Sequence, residues 1–190
     1  MTTNVAVQPQ KQGQMPLEEQ STQDAYDSRI IQIRRTTKVR EGGRDFSFSV
    51  LVVVGDGQGR VGYGCGKAKE VVSAVQKAND KARRDMHTIY LSSGTVQYPI
   101  LAKYGATRVM MRPGAEGTGI IAGGAMRPIF EVLGLKNIVA KCIGSSNPIN
   151  VVRATIQSLV NMQTPFSIAA KRGKKLSEIF GKSKRIQEKQ

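Results

Sequence analysis

An α+β fold follows from three features of the sequence. Strand periodicity gives way to helix periodicity inside one stretch, a second set of strand-like and helix-like runs follows it, and both termini are too poor in apolar residues to pack. The defining stretch is RDFSFSVLVVVGDGQGRVGYGCGKAKEVVSAVQKANDKARRDM, from Arg44 to Met86. Phe46, Phe48 and Val50 alternate with Ser47 and Ser49, the period of a half-buried strand, and pass into the apolar run Val50 to Val54. Gly55-Asp56-Gly57-Gln58-Gly59 has the residues of a reversing turn. The return strand sets Val61, Tyr63 and Cys65 on one face and Gly62, Gly64 and Gly66 on the other. Three glycines in register leave bare backbone, suited to close approach by another backbone or by a phosphate. From Lys69 the spacing is helical, with Val71, Ala74, Val75, Ala78, Ala82 and Met86 as one apolar seam. Lys77, Lys81 and Arg84 line up beside the seam, and Lys67, Lys69 and Arg83 add charge at its ends.

The other elements fall around this unit. Residues 1–27 are rich in Gln, interrupted by Pro9 and Pro16, and read as a disordered tail. In SRIIQIRRTTKVREGGR, Ile31 and Ile33 are candidates to face a core. Arg34, Arg35, Lys38, Arg40 and Arg44 crowd what reads as a loop made flexible by Gly42-Gly43. After the helix come two short apolar runs separated by a turn at Ser92-Ser93-Gly94, and then Pro99, the expected hinge between two small domains spanning 28–95 and 96–164. In TRVMMR, Val109 and Met111 share one strand face, opposite Arg108, Met110 and Arg112. The glycine-dense PGAEGTGIIAGGA leads into a short helix around Met126 to Leu133, which Gly134 can end. NIVAKCIG reads as a buried strand. SSNPINVVRATIQSLVNM reads as a helix with Asn147 as N-cap, Pro148 at the first helical position, and Val152, Ile156, Leu159 and Val160 inside. Residues 165–190 form a basic extension, either frayed or ordered only on a partner.

Charge decides the class of partner. There are 29 Lys plus Arg against 14 Asp plus Glu, a net charge of +15 on 190 residues, which points to a polyanion. No long apolar run or basic amphipathic anchor favours a membrane, so nucleic acid leads. A hairpin under a helix with a basic flank is the way double-stranded-RNA modules read shape and phosphates. The starts at Ser145-Ser146-Asn147 and at Gly123-Gly124 offer N–H groups to phosphate, although ordinary capping explains each one alone.

Enzyme chemistry finds little support. Gly57, Gly59 and Gly62 satisfy G-x-G-x-x-G between two strands, whereas a dinucleotide site needs a strand leading into a helix. Gly117, Gly119 and Ala122 precede a helix, but no acidic residue follows at the distance that would take a ribose hydroxyl. Gly66-Lys67 is followed by Ala68, where a phosphate loop needs Ser or Thr. The glycines serve better as backbone donors for RNA phosphates. The single His87 excludes the usual zinc sets and lies near no nucleophile motif; Asp56, Glu116 and Glu131 are scattered acids. Cys65 and Cys142 read as small buried hydrophobes of a reducing compartment. No cofactor, metal, membrane or small-molecule substrate is implied, and no import or secretion signal opens the chain.

Three segments closely resemble one family: KVREGGRDFSFSVLVVVGDGQGRVGYGCGKAKEV, EGTGIIAGGAMRPIFEVLGLKNIVAKCIGSSNPINVVRAT and AAKRGK. Over about Ile30 to Lys182 the chain is similar to the fifth protein of the small ribosomal subunit in its bacterial form. The resemblance implies an N-terminal double-stranded-RNA-binding-like domain and a C-terminal α/β two-layer domain of the ribosomal-protein type. It implies a structural, non-enzymatic role in the cytoplasm. There the protein binds small-subunit ribosomal RNA where head and body meet, beside the point where messenger RNA enters. Arg34 to Arg44 match the segment that reaches toward the decoding region. Gly105, Arg108, Arg112 and Glu116 fall where the family meets the fourth small-subunit protein, a contact tied to translational accuracy; the eighth is a further neighbour.

Overall fold

The computed structural model describes residues 26–179. The expected tail lies outside them up to residue 25, and Asp27 already belongs to a strand. The fold is α+β, with two four-stranded sheets. The first has the order β1-β2-β3-β4, all antiparallel: β1 Asp27–Arg40, β2 Gly43–Gly55, β3 Arg60–Ala68 and β4 Met86–Thr88. Helix α1, Val71–Arg84, returns along β3. The second sheet has the order β5-β6-β8-β7, formed by β5 Ile100–Tyr104, β6 Thr107–Pro113, β8 Ile138–Gly144 and β7 Ile120–Ile121, of which only β7 runs parallel to its neighbour. Helices α2 (Arg127–Leu133) and α3 (Pro148–Val160) carry most of the remaining core, and α4 (Pro165–Arg172) and α5 (Leu176–Ile179) follow.

The second half of β2, Val50 to Val54, is buried on both sides, which is why that run is continuously apolar. Val50, Val52 and Val54 face Ala74, Ala78 and Ala82 of α1. Leu51 and Val53 face the larger cluster, which includes Phe130, Ile129, Leu133 and Leu159 from beyond Pro99. The glycine stripe receives a backbone, not a phosphate. A Cβ added at Gly62, Gly64 or Gly66 would stand 2.1, 2.0 or 2.1 Å from the carbonyl oxygens of Ala82, Ala78 and Ala74. Helix and strand therefore interlock, small residue against missing side chain.

A second close joint ties the two sheets. The β2–β3 turn lies on the C-terminal end of α2, where Gly57 N–H donates to the Val132 carbonyl at 2.9 Å and Gly59 N–H to that of Leu133 at 3.2 Å. Gly134 ends α2 in the left-handed region at φ 85°, and a Cβ there would lie 2.0 Å from the Gly57 oxygen. The turn thus caps a helix from the other half of the chain. Its N–H groups are occupied, so Gly57 and Gly59 are not the phosphate donors expected of them. Asp56 has a structural role as well: its Oδ1 accepts from the Gln58 and Arg60 amides at 2.8 and 2.9 Å.

Several local expectations change. The basic "loop" before β2 is two paired strands joined at Glu41-Gly42, with Arg40 opposite Gly43 and Gly42 at φ 83°. The β-branched Thr36, Thr37 and Val39 among the cations favour a strand, and charge on both faces disguised the pattern. A β-bulge between Ile30 and Gln32 leaves Ile31 packed on the larger core and turns Ile33 outward, 47% exposed. Met86 leaves the helical seam to open β4. Cys65 is exposed, two residues beyond Tyr63 on the face of β3 that the larger cluster covers only as far as Val61 and Tyr63; Cys142 is only half-buried. β8 buries Ile138 and Ala140 but exposes Val139, Lys141 and Ile143, so it is covered on one face only. Val160 lies at 44% exposure, off the inner face of α3. Residues from Pro165 continue as helix: Thr164 caps α4 by accepting from the Ser167 amide at 3.2 Å, and Phe166 meets Tyr90 edge-on.

Candidate nucleic-acid interface

Strand alternation distributes the charges of the β1–β2 hairpin. Arg34, Lys38 and Arg40 lie on one face, in the rows of Ser49, Asp45 and Gly43. Arg35 and Arg44 lie on the other, the α1 side, with Phe46 and Phe48. The Arg35 guanidinium stacks 3.7 Å from the centre of the Phe46 ring, which stiffens the hairpin and holds the cation outward. Arg40 pairs with Asp45 at 2.7 Å.

The hairpin's base meets the start of α1. There Lys67, Lys69 and Lys77, with Ser47 and Ser73, line an open cleft of about 630 Å³ that also includes Glu70. The α1 N-terminus opens into this place, and its dipole adds to the positive potential. Lys77, Lys81 and Arg84 continue along the exposed side of α1 at helical spacing. Lys81 and Arg84 also suit the helix's negative C-terminal end. Among the described residues, Arg40 alone of these hairpin and helix cations meets a carboxylate; no carboxylate lies within ion-pair distance of the others. Unpaired cations in that density suit an external polyanion.

At the start of α3 the two serines and the asparagine divide. The Ser145 backbone is tied to β6, its carbonyl accepting from Thr107 Oγ1 at 2.8 Å, and its hydroxyl accepts from the Asn147 amide at 3.4 Å. Ser146 and Asn147 are exposed, and Asn147 occupies the N-cap position without a side-chain capping bond. Gly123, by contrast, gives its carbonyl to Met126 and Arg127 as the lead-in to α2.

The remaining candidates run along β6. Gly105 lies in the β5–β6 turn, Arg108 and Arg112 face outward from the strand, and Glu116 follows in the next loop. Sequence reasoning missed their neighbours. The row Lys103–Arg108–Ile143 crosses the sheet, with Leu101–Met110–Lys141 beside it, so the outward face alternates cations with apolar side chains. No helix covers that face among the described residues, and Leu101 is 65% exposed. Cross-strand register brings these together, and periodicity within one strand cannot show it.

A further cleft, of about 540 Å³, was also invisible in the sequence. It opens between β3, β4, β5 and α3, with Tyr63, His87, Tyr104, Arg153 and Gln157 on its walls. Arg153 Nη1 donates to the Tyr104 hydroxyl at 2.9 Å, and the guanidinium lies 5.6 Å from the ring centre. That hydrogen bond holds the Arg153 pKa above its ordinary value, against some desolvation. His87 faces Asp85 at 3.6 Å.

Comparison with known proteins matches the N-terminal domain of ribosomal protein S5 over residues 26–90 and its C-terminal domain over residues 102–172. The small ribosomal subunit protein uS5 of Nitrosococcus oceani is 56% identical over 161 residues, covering 85% of this chain and 95% of that protein. The uS5 of Hydrogenovibrio crunogenus is 54% identical over 162 residues, with 85% and 96% covered. That of Coxiella burnetii is 56% identical over 159 residues, with 84% and 95% covered.

Proposed function

The chain belongs to the ribosomal protein S5 family, and from that premise we propose that it is a structural constituent of the small ribosomal subunit that grips small-subunit ribosomal RNA at the head–body junction and contributes to translational accuracy. It works in the cytoplasm beside the incoming messenger RNA, and its role is not catalytic. The observation that carries RNA binding is the run of cations, unpaired except for Arg40, from Arg34 through the cleft at Lys67, Lys69 and Lys77 to Arg84. The stiff hairpin reaches into the RNA while the helix side and the Ser146-Asn147 corner take phosphates. Gly105, Arg108, Arg112 and Glu116 form the contact with the fourth small-subunit protein, and the eighth lies nearby.

Phosphate contacts release counterions, so affinity falls with salt at a slope of about 0.7–0.9 per contact on logarithmic axes. Replacing Arg35, Lys38, Arg40 and Arg44 together by Gln, and separately Lys67, Lys69 and Lys77, should weaken binding to small-subunit RNA. Each set should lower that slope by roughly two to four units. An unchanged slope in both would show these residues to be solvated surface.

A further inference from the structure

The cleft between the two sheets has a different character from the basic faces. It carries one cation, Arg153, and its walls are aromatic: Tyr63 from β3, His87 from β4 and Tyr104 from β5. Ile156 and Val160 give it an apolar lining along α3, and Gln157, four residues after Arg153, adds an amide with both donors and an acceptor. Arg153 is fixed by the Tyr104 hydroxyl and meets no carboxylate among the described residues, and the acid beside the cleft, Asp85, faces His87 instead. A volume of about 540 Å³ suits one small planar group and is too narrow for a duplex. Unstacked RNA bases are recognised by this combination: stacking on aromatic rings, a guanidinium, and hydrogen bonds to a base edge.

We propose that this cleft receives a single unstacked nucleotide of the ribosomal RNA, its base against the tyrosines and His87, its edge at Gln157 and its phosphate at Arg153. The inference rests on the RNA-binding function proposed above and adds a reading site to it. Tyr63 shares its strand face with Lys67, about 13 Å further along, so a strand held on the basic hairpin can extend to the cleft. Among the described residues Arg153 is the one cation that lines the cleft, too little to hold a free nucleotide's phosphates, which makes the occupant part of a longer RNA.

The test compares the full-length chain with Tyr63→Leu and Gln157→Ala for binding to small-subunit ribosomal RNA across a salt series. Stacking is worth roughly 1–3 kcal/mol per base, so Tyr63→Leu should lower affinity about 5- to 150-fold, and Gln157→Ala should lower it less. Neither should alter the salt slope, because neither removes a charge. Gln157 is exposed on α3, so its variant decides the matter if Tyr63→Leu fails to fold. Wild-type affinity in the variants, alongside a steep salt dependence, would overturn this inference and leave the RNA-binding proposal standing. Wild-type protein that shows no salt-dependent RNA binding would overturn both. Normal RNA affinity with defective assembly of the subunit would overturn it in favour of a protein neighbour in the cleft.

Discussion

Gly64 is one of three residues whose missing side chain lets α1 lie directly on the first sheet. Its missing side chain is filled by the Ala78 carbonyl, which a Cβ would approach to 2.0 Å, and the same holds one notch away at Gly62 and Gly66. The obstacle is backbone, so no rotamer change relieves it. Gly64→Ala should lose about 1–3 kcal/mol or more to overpacking, lowering the melting temperature by several degrees for a chain of this size. Gly64→Val should do worse, despite valine's preference for strands. A thermal melt of either variant at the wild-type temperature would show that α1 stands off the strand. The alternation of the stripe announced that something packs closely there. What packs there was hidden, because backbone and phosphate ask the same of a glycine.

At the scale of elements, legibility followed how many faces each element buries. α1 and β6, each with a single covered face, carry one dominant period and were readable, and β2 was readable from its apolar run Val50 to Val54. β1 carries charge on both faces of a projecting hairpin, so neither helical nor strand periodicity marked it, and the bulge at Ile31 shifted its parity. The open face of β5, β6 and β8 was half-legible: Arg108 and Arg112 were visible, but Lys103, opposite Arg108 in register, was not. Like charges directly opposed destabilise a sheet, and opposite ones contribute about 0.2–1 kcal/mol. Arg108→Glu should therefore leave the isolated protein as stable as before or slightly more so, by creating a pair with Lys103. In the subunit the same change would reverse the charge offered at the contact proposed with the fourth protein. Misreading on a near-cognate reporter should rise while sedimentation shows normal subunits. Unchanged accuracy would remove Arg108 from that contact, and failed assembly would make it an RNA anchor.

Taken whole, the molecule has layers in the order α1, first sheet, α2 with α3, second sheet, and its larger core draws on both halves. Leu51 lies in the middle of it, 3% exposed. Leu51→Ala should cost about 2–5 kcal/mol and loosen α2 and α3 as much as β2. Hydrogen exchange would show protection falling in all three together, whereas loss confined to the first sheet would mean that the halves fold separately. The joint between the β2–β3 turn and α2 also sets an order in time. α2 spans only Arg127–Leu133, too short to persist alone in water, and its last carbonyls find their partners on Gly57 and Gly59. During synthesis that turn leaves the exit tunnel well before α2 does. The turn is thus synthesised before the helix it caps, and both that cap and the cover over Leu51 and Val53 are completed only as the second half emerges.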